Sequence, residues 1–315
     1  MNHQQPLVSI GLPVYNGADS IKIALKSLLN QTYHNFELII SDNCSTDDTG
    51  VICEDYAKRD SRIRYFRQPV NRGAIFNFNF VLKKAKGDYF MWAADDDRWH
   101  IDFIKHLLAA IIKSNSVLAV PNYQLNDHGV KTKVTLNNKI GLSRKDLIID
   151  FLNNVSRDNT IFIYGLMKTK MIKSIKGYHQ DIRPYYHASD FVTIIKILLN
   201  GKVINVSKTL FYKEITVLYF KKYQLISKGE INRQLSKAIQ RYLFDPVYNT
   251  LDLYYSIKAT KNSTLTSSNK NEIYFQLSKY YLFRIIYYFV SLIKGSILLT
   301  GGFLKKIIDK IKINR

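Results

Sequence analysis

Three consecutive carboxylates, Asp95, Asp96 and Asp97, follow directly after the apolar run at residues 89–93. The run has the composition of a buried strand, so the carboxylates should stand at one end of it, at the edge of a sheet. Carboxylates leave water at a high cost unless a cation or hydrogen-bond donors compensate them. A divalent cation, Mn²⁺ or Mg²⁺, would compensate the charge and hold a diphosphate. The alternative is a solvated turn that opens a helix near His100, with one acidic residue as its cap.

The residues before this run predict the elements that position it. Three apolar segments alternate with three amphipathic segments, which indicates a βαβαβαβ chain that builds a parallel sheet. The predicted strands are residues 7–12, 36–41, 63–66 and 89–93, and the predicted helices are residues 20–30, 47–59 and 74–85. Ligands gather at the carboxyl ends of such strands.

A polar cluster follows each of the four predicted strands. The clusters are residues 13–17, Asp42 with Asn43, residues 71–73 and the acidic run. Solvation alone does not explain four such clusters at successive strand ends, so they predict a ligand site at this edge. No Gly-x-Gly-x-x-Gly follows the first strand, which argues against a dinucleotide-binding Rossmann domain, and no Walker-type Gly-Lys-Ser/Thr is present.

In the same order, these segments resemble those of the family 2 inverting glycosyltransferases of the GT-A fold, the type that builds bacterial surface polysaccharides. The resemblance covers about the first 110 residues and is specific. Its segments are Val8–Gly17 (VSIGLPVYNG), Ser41–Thr49 (SDNCSTDDT), Asn71–Gly73 and Gly87–Asp97. It implies an α/β GT-A fold, Rossmann-like with a mostly parallel central sheet. It also implies transfer of a sugar from a nucleotide diphosphate donor with inversion at the anomeric carbon.

The resemblance further implies which residues bind the donor, expected to be a UDP-sugar. They are Pro13, Tyr15, Asn16, Asp42, Asn43, Arg72 and Asp95. The ring of Tyr15 can stack on a base, and the carboxylate of Asp42 can accept a hydrogen bond from the imide N–H of uracil or thymine. Arg72 would lie near the base or the diphosphate as a fixed charge.

The acidic run departs from the family's Asp-x-Asp-Asp signature, because Ala94 stands where the first Asp is usual. The resemblance then assigns Asp96 as the metal ligand, Asp95 as the acceptor for a ribose hydroxyl and Asp97 as a supporting residue. Some family members also lack the first carboxylate, so we interpret Ala94 as variation rather than as loss of activity. The implied cofactor is Mn²⁺ or Mg²⁺.

Asp190 is the candidate catalytic residue. Ser189 and Asp190 precede the amphipathic segment 191–199 and resemble the family's Glu-Asp pair at the start of a helix, whose Asp is the general base. Ser189 replaces the Glu. Without the resemblance, an Asp in this place is more often a helix N-cap.

Weaker signals lie on either side of Asp190. Tyr164-Gly165 matches a turn on the family's acceptor side, and Tyr212-Lys213 matches a basic strand end. Ile215 takes the place of a His that is frequent in the family. The Gln-x-x-Arg-Trp motif of processive synthases does not follow Asp190, which favours addition of a single sugar.

Charge is distributed unevenly along the 315 residues, which carry a net charge of +21. Residues 1–150 hold 19 basic and 16 acidic side chains, whereas residues 151–315 hold 27 and 9. No nucleic-acid-binding motif accompanies the basic half, and the acidic site would repel a phosphate backbone, so we expect no nucleic-acid partner. An anionic membrane surface suits the basic half better.

The C-terminal tail is the reason for this preference. Apolar stripes at helical spacing lie in residues 282–293 and 303–311, and four lysines face away from the second stripe. Residues 285–304 are long enough to span a bilayer, but Lys294 near their centre costs about 2.5–3.5 kcal/mol. We therefore expect an interfacial helix pair, with packing of the stripes onto the catalytic domain as the alternative. Residues 260–271, rich in Ser, Thr and Asn, predict a loop before this tail.

The predicted organisation has two parts. Residues 1–215 form the GT-A domain, with a nucleotide-sugar-binding half at 1–115 and an acceptor half at 116–215. Residues 216–315 form a basic helical extension with the amphipathic tail. Two cysteines without metal-type spacing predict reduced thiols, and no signal peptide opens the chain. We expect a cytoplasmic protein, peripheral on the inner face of the plasma membrane, with a glycan acceptor that is lipid-linked.

Two other functions stay open on the sequence. A catalytically inactive relative could act as a membrane-associated scaffold, since Ala94 and Ser189 each replace a family carboxylate. A sugar nucleotidyltransferase also binds nucleotides on a Rossmann-like sheet. It would need a glycine-rich, basic loop after the first strand, and residues 13–17 contain no Lys or Arg.

Overall fold

The computed structural model of the chain describes residues 5–127, 129–136, 142–153, 161–179, 186–215 and 253–282. The first elements are β1 (Val8–Val14), α1 (Ile21–Leu29), β2 (Phe36–Asp42), α2 (Thr49–Arg59), β3 (Ile63–Arg67), α3 (Ala74–Lys84) and β4 (Tyr89–Trp92). They are followed by β5 (Arg98–Trp99), α4 (Phe103–Ser114), β6 (Leu118–Asp127), β7 (Val130–Val134), α5 (Arg144–Asn153), β8 (Leu166–Lys168), α6 (Thr169–Ser174), α7 (Tyr186–Leu199) and β9 (Val203–Ile215). Residues 253–261 and 267–282 are also helical.

The nine strands of these described ranges form one sheet in the order β3-β2-β1-β4-β8-β6-β9-β5, with β7 paired to β6. Strands β3, β2, β1 and β4 are parallel. Strand β8 runs antiparallel between β4 and β6, and β9 returns parallel to β6. The predicted α/β class with a mostly parallel sheet is confirmed.

Burial explains why the first strands could be recognised. Every residue of β1 and β2 is buried, and both sequences, VSIGLPV and FELIISD, are mainly apolar at their centres. The helices between them bury one face only; α1 buries Ile21, Ala24, Leu25 and Leu28. Each crossover returns the chain to the same edge, so the carboxyl ends of β1 to β4 lie side by side.

Two local expectations are corrected in their bounds. The helix expected near His100 begins at Phe103, and Arg98 and Trp99 before it form β5, which pairs with β9. The predicted loop 260–271 is shorter, because a helix resumes at residue 267. Its start is stabilised by Thr266, whose hydroxyl accepts a hydrogen bond from the backbone N–H of Asn269 at 3.4 Å, as an N-cap does.

Residues 253–282 pack on residues 116–215, the predicted acceptor half. Tyr281 is buried, and the ring of Tyr280 stacks on Phe191 with centroids 5.1 Å apart. An ion pair joins Lys145 to Glu272 at 2.7 Å. The tail at residues 283–315, which holds nearly all of both apolar stripes, lies outside the described residues, and the predicted domain division at residue 215 stays a prediction. In the part of the chain that the structure describes, no helix has the length and hydropathy to cross a bilayer.

Candidate active site

The turns after β1 and β2 are joined by hydrogen bonds. The backbone N–H of Asn16 donates to Ser45 Oγ at 2.9 Å, and the N–H of Thr46 donates to Asn16 Oδ1 at 2.8 Å. Asn16 has a positive φ of 52°, a conformation that Asn tolerates better than most residues. The N–H of Gly17 donates to Thr49 Oγ1 at 2.9 Å. Asn16 therefore shapes the predicted donor-binding turn.

Asp42 lies fully buried beneath these turns. Its carboxylate accepts hydrogen bonds from Ser45 N at 2.8 Å and from the Tyr65 hydroxyl at 3.0 Å, and it pairs with Arg67 at 3.0 Å. A buried carboxylate needs such partners, so Asp42 organises the loop. Pro13 is likewise buried, within β1. Direct contact of Asp42 with a nucleotide base stays a prediction.

The other predicted base-binding residues surround these turns. Tyr15 keeps 41% of its surface exposed. Asn43 is a hub: its Nδ2 donates to Asn71 Oδ1 at 2.9 Å and its Oδ1 accepts from the backbone N–H of Arg72 at 3.0 Å. The exposed guanidinium of Arg72 lies 3.8 Å above the ring of Phe76. An exposed ring and an exposed guanidinium are suited to a base and to phosphate oxygens.

Asp95 lies against the turn after β1. Its Oδ2 is 3.4 Å from the hydroxyl of Ser20, just before α1. A Cβ at Gly17 would overlap this oxygen, so only glycine permits the close approach. The first carboxylate of the acidic run is thereby placed beside the predicted nucleotide-binding turn.

Burial works against the charged forms of Asp96 and Asp97. Burial raises the pKa of Asp96, although the ammonium of Lys213 counteracts this. Burial and the neighbouring charge of Asp96 raise the pKa of Asp97 well above its usual value. Asp97 is held by the backbone N–H of Glu214, which donates to its Oδ1 at 3.1 Å. Carboxylates that lose solvation in this way are natural ligands for a cation.

The side chains present fit a Mn²⁺ or Mg²⁺ ion that is held partly by the protein and partly by the phosphates of a bound molecule. Among the described residues, no group of three or more His, Cys, Asp or Glu side chains is arranged around a common metal position. Mg²⁺ is typically held by one or two carboxylates together with substrate phosphates and waters. The carboxylate oxygens of Asp96 suit that arrangement, so the chemistry of the residues agrees with the expected cofactor.

Asp190 and the acidic run both affect the same side chain, Tyr164. Tyr164 links the two: burial, and then the negative charges of Asp97 and Asp190, raise its pKa well above the usual value. The hydroxyl of Tyr178 donates to Asp190 Oδ1 at 2.6 Å. Helix α7 begins at Tyr186, so Asp190 lies inside the helix and the N-cap interpretation is wrong.

Some of these partners gave only weak signals in the sequence and others gave none. Tyr164 and Lys213 belong to the weak signals, and the structure places the Lys213 ammonium 5.7 Å from the Tyr164 ring, near Asp96. Tyr178 and Arg67 were missed. Each acts through a residue on another element, so no local pattern marks it.

The fold and the candidate site together define a class of protein: an α/β protein whose parallel strands end in hydrogen-bonded polar turns, with an acidic run after the fourth strand. The model of the family described as Glycosyl transferase family 2 matches residues 9–175. A glycosyltransferase of Haemophilus influenzae is 30% identical over 239 residues, which cover 70% of this chain and 90% of that protein. The chain belongs to glycosyl transferase family 2.

A further relative and two solved structures are also glycosyltransferases or share the fold. TuaG of Bacillus subtilis, whose name assigns it to teichuronic acid biosynthesis, is 34% identical over 125 residues. These residues cover 40% of this chain and only half of the length of TuaG. Among solved structures, residues 1–349 of Staphylococcus aureus TarS give a TM-score of 0.65 at 18% identity, covering 88% of this chain and 71% of that one. The mannosyltransferase PcManGT of Pyrobaculum calidifontis, solved with GDP-Man and Mn²⁺, gives 0.52 at 15% identity, covering 89% and 86%. The predicted GT-A fold is confirmed.

Proposed function

We propose that this chain is an inverting glycosyltransferase that moves a single sugar from a UDP-sugar to a glycan acceptor, lipid-linked, in polysaccharide biosynthesis. The observation that supports the proposal is the environment of Asp190, whose Oδ1 accepts a hydrogen bond from the Tyr178 hydroxyl at 2.6 Å. Burial, and then the charges of Asp97 and Asp190, raise the pKa of Tyr164. S. aureus TarS, which shares the fold, has been solved with UDP and with UDP-GlcNAc. The name of TuaG supports a role in polysaccharide assembly.

The reaction that suits this geometry is a single displacement. An acceptor hydroxyl attacks the anomeric carbon, the bond from that carbon to the diphosphate oxygen breaks, and the configuration inverts. The Asp190 carboxylate accepts the hydroxyl proton as general base. Tyr178 donates a hydrogen bond to Oδ1 of Asp190 and so holds the carboxylate in one orientation.

The donor would lie along the strand ends. Tyr15 would stack on the base, Asn16 and Asn43 would hold the turns around it, and Arg72 would offer a charge to the diphosphate. The carboxylate of Asp95 would accept a hydrogen bond from a ribose hydroxyl. Asp96 would hold Mn²⁺ or Mg²⁺, which when bound neutralises charge on the leaving diphosphate.

A nucleotide-sugar panel tests the donor class. UDP-GlcNAc or another UDP-sugar, together with Mn²⁺, should protect the chain against heat, because ligand at 100 times its Kd stabilises by about 2.7 kcal/mol. For a domain of this size we expect a rise in Tm of about 5 °C. The measurement is thermal unfolding with UDP-, GDP- and CDP-sugars, each with Mn²⁺ and with EDTA. Protection by none of them in the presence of metal would contradict the proposal.

We further propose that residues 283–315 attach the protein to the inner face of the plasma membrane. This segment holds seven Lys and Arg residues against a single Asp, together with the apolar stripes. Apolar side chains buried in the headgroup region and basic side chains near anionic lipids add their contributions.

A truncation after Leu282 tests the anchor. It removes the tail but keeps Tyr280 and Tyr281, which pack against Phe191. The truncated protein should no longer sediment with phosphatidylglycerol vesicles, and its Tm should match that of the full chain. High salt should release the full chain only partly, because screening leaves apolar burial intact. Equal sedimentation of both proteins would place the anchor elsewhere.

A further inference from the structure

A second polar cleft, with a volume of about 600 Å³, lies between the end of α7 and the helical residues 253–261. Four cationic side chains line it: Arg144, Lys176, Lys196 and Lys258. None of the fourteen described residues that line the cleft is Asp or Glu, and none belongs to the acidic run or the nucleotide-binding turns. The cleft is therefore a separate site of positive charge.

The floor of the cleft is ordered by a buried contact. Lys196 Nζ lies 2.9 Å from Nδ1 of His179, a residue that is only 4% exposed. The His179 ring packs edge-on against Tyr255, with centroids 4.5 Å apart, and its backbone N–H donates to Thr193 Oγ1 at 3.0 Å. The position of Lys196 is thus set by packing from both sides of the cleft.

The walls supply further donors. Arg144 donates to the carbonyl of Leu199 at 3.2 Å and to Thr264 Oγ1 at 3.0 Å, which ties the two walls together. A guanidinium has five N–H donors, so these two bonds leave Arg144 with capacity for an anion. Lys176 and Lys258 are exposed at the rim, where a ligand can reach them. Asn200, Asn262, Ser263 and Ser174 also line the cleft and add amide and hydroxyl groups.

Four cationic side chains that line one cleft favour the binding of an anion there. Their concentration suits a compact group with more than one charge and several acceptor oxygens, as in a diphosphate, better than a chain of widely spaced charges. Helix α7 connects this cleft to the candidate active site. Lys196 follows Asp190 by six residues, which corresponds to about 9 Å along the helix axis. Consecutive residues, Tyr178 and His179, contact these two side chains.

We propose that this cleft binds the diphosphate of the acceptor, as carried by a lipid-linked glycan, while the reacting hydroxyl lies at Asp190. The identification of the ligand as the acceptor rests on the proposed function. The site itself rests on the four cations, the ordered floor and the absence of acidic groups among the described lining residues. Such a site would fix the register of the acceptor relative to the general base.

The test uses the full chain in EDTA, so that no metal supports binding at the donor site. Inorganic pyrophosphate and farnesyl diphosphate are titrated by calorimetry. Both should bind the parent, and the double substitution Lys176→Gln with Lys258→Gln should weaken each by about tenfold or more, since it removes two charged donors. The matched control is Lys105→Gln with Lys113→Gln, which removes two exposed lysines of α4 and should bind like the parent.

Three results would overturn the inference. The first is that the parent binds neither diphosphate. The second is that the control, Lys105→Gln with Lys113→Gln, weakens binding as much as the cleft variant does. The third is that Lys176→Gln with Lys258→Gln loses affinity for UDP-GlcNAc in Mn²⁺, which would assign the cleft to the donor. The experiment needs no sugar transfer. A chain that binds both diphosphates in the cleft but transfers no sugar would contradict the proposed function while leaving the diphosphate site in place.

Discussion

Asp190→Asn should lower sugar transfer by about a hundredfold or more, because an amide cannot take the acceptor's proton. The effect should fall on turnover, with donor affinity nearly unchanged, since the predicted nucleotide-binding turns follow β1 and β2. The Asn side chain keeps an oxygen that can accept the hydrogen bond of Tyr178. Stability should therefore stay close to that of the parent, and lost activity can be read as lost chemistry.

The measurement is transfer of labelled sugar, from the UDP-sugar that gives heat protection, to a bacterial membrane extract. Asp55→Asn is the matched control: Asp55 is a half-exposed residue of α2 whose partner is Arg59, one turn away, and such surface pairs contribute little. Near-normal transfer by Asp190→Asn would leave the base unassigned. Absence of transfer by the parent as well would favour the inactive scaffold, for which Ala94 and Ser189 are the sequence argument.

The sequence determines most of the donor half because the signals there are local. Strand β1 is buried throughout, is apolar apart from Ser9 and is followed by its own turn, so the strand and the polar turn after it could be predicted together. The same holds for β2 and for β4, where the acidic run begins. Periodicity and turn chemistry act within a few residues, which is the range that inspection of one sequence can reach.

The predicted acceptor half is harder to predict from the sequence, because its contacts join residues that are far apart in the chain. Strand β5 exists only because β9 pairs with it, and the pair is distant in the chain. Tyr178 becomes part of the site only through Asp190 on α7. The cationic cleft is lined by Arg144, by residues between 174 and 200 and by residues 255–264, and no sequence motif joins these segments. Tertiary packing decides such positions.

Asp42 shows how a motif can be located correctly while its partners are missed. The sequence placed it at a strand end, and the structure agrees. It also shows the carboxylate paired with Arg67, a residue of the neighbouring strand β3. Strand register decides that contact, and a list of motifs contains no register.

Asp96→Ala should abolish most of the Mn²⁺-dependent affinity for UDP. The cation would lose a protein ligand and the diphosphate its counter-charge, whereas the base would still meet the turns around Asn16 and Asn43. Calorimetry should show UDP affinity that differs between Mn²⁺ and EDTA in the parent but hardly in the variant. Uridine, which has no diphosphate, is the control ligand and should bind both proteins alike.

The stability of this variant separates loss of a ligand from damage to the fold. Burial raises the pKa of Asp96, and an acid whose folded pKa lies above its unfolded value costs stability once the pH exceeds the unfolded pKa. Removing the carboxylate at neutral pH should therefore leave the metal-free Tm unchanged or slightly higher. Equal UDP affinity of parent and variant in Mn²⁺, with both proteins folded, would show that the diphosphate is held without Asp96.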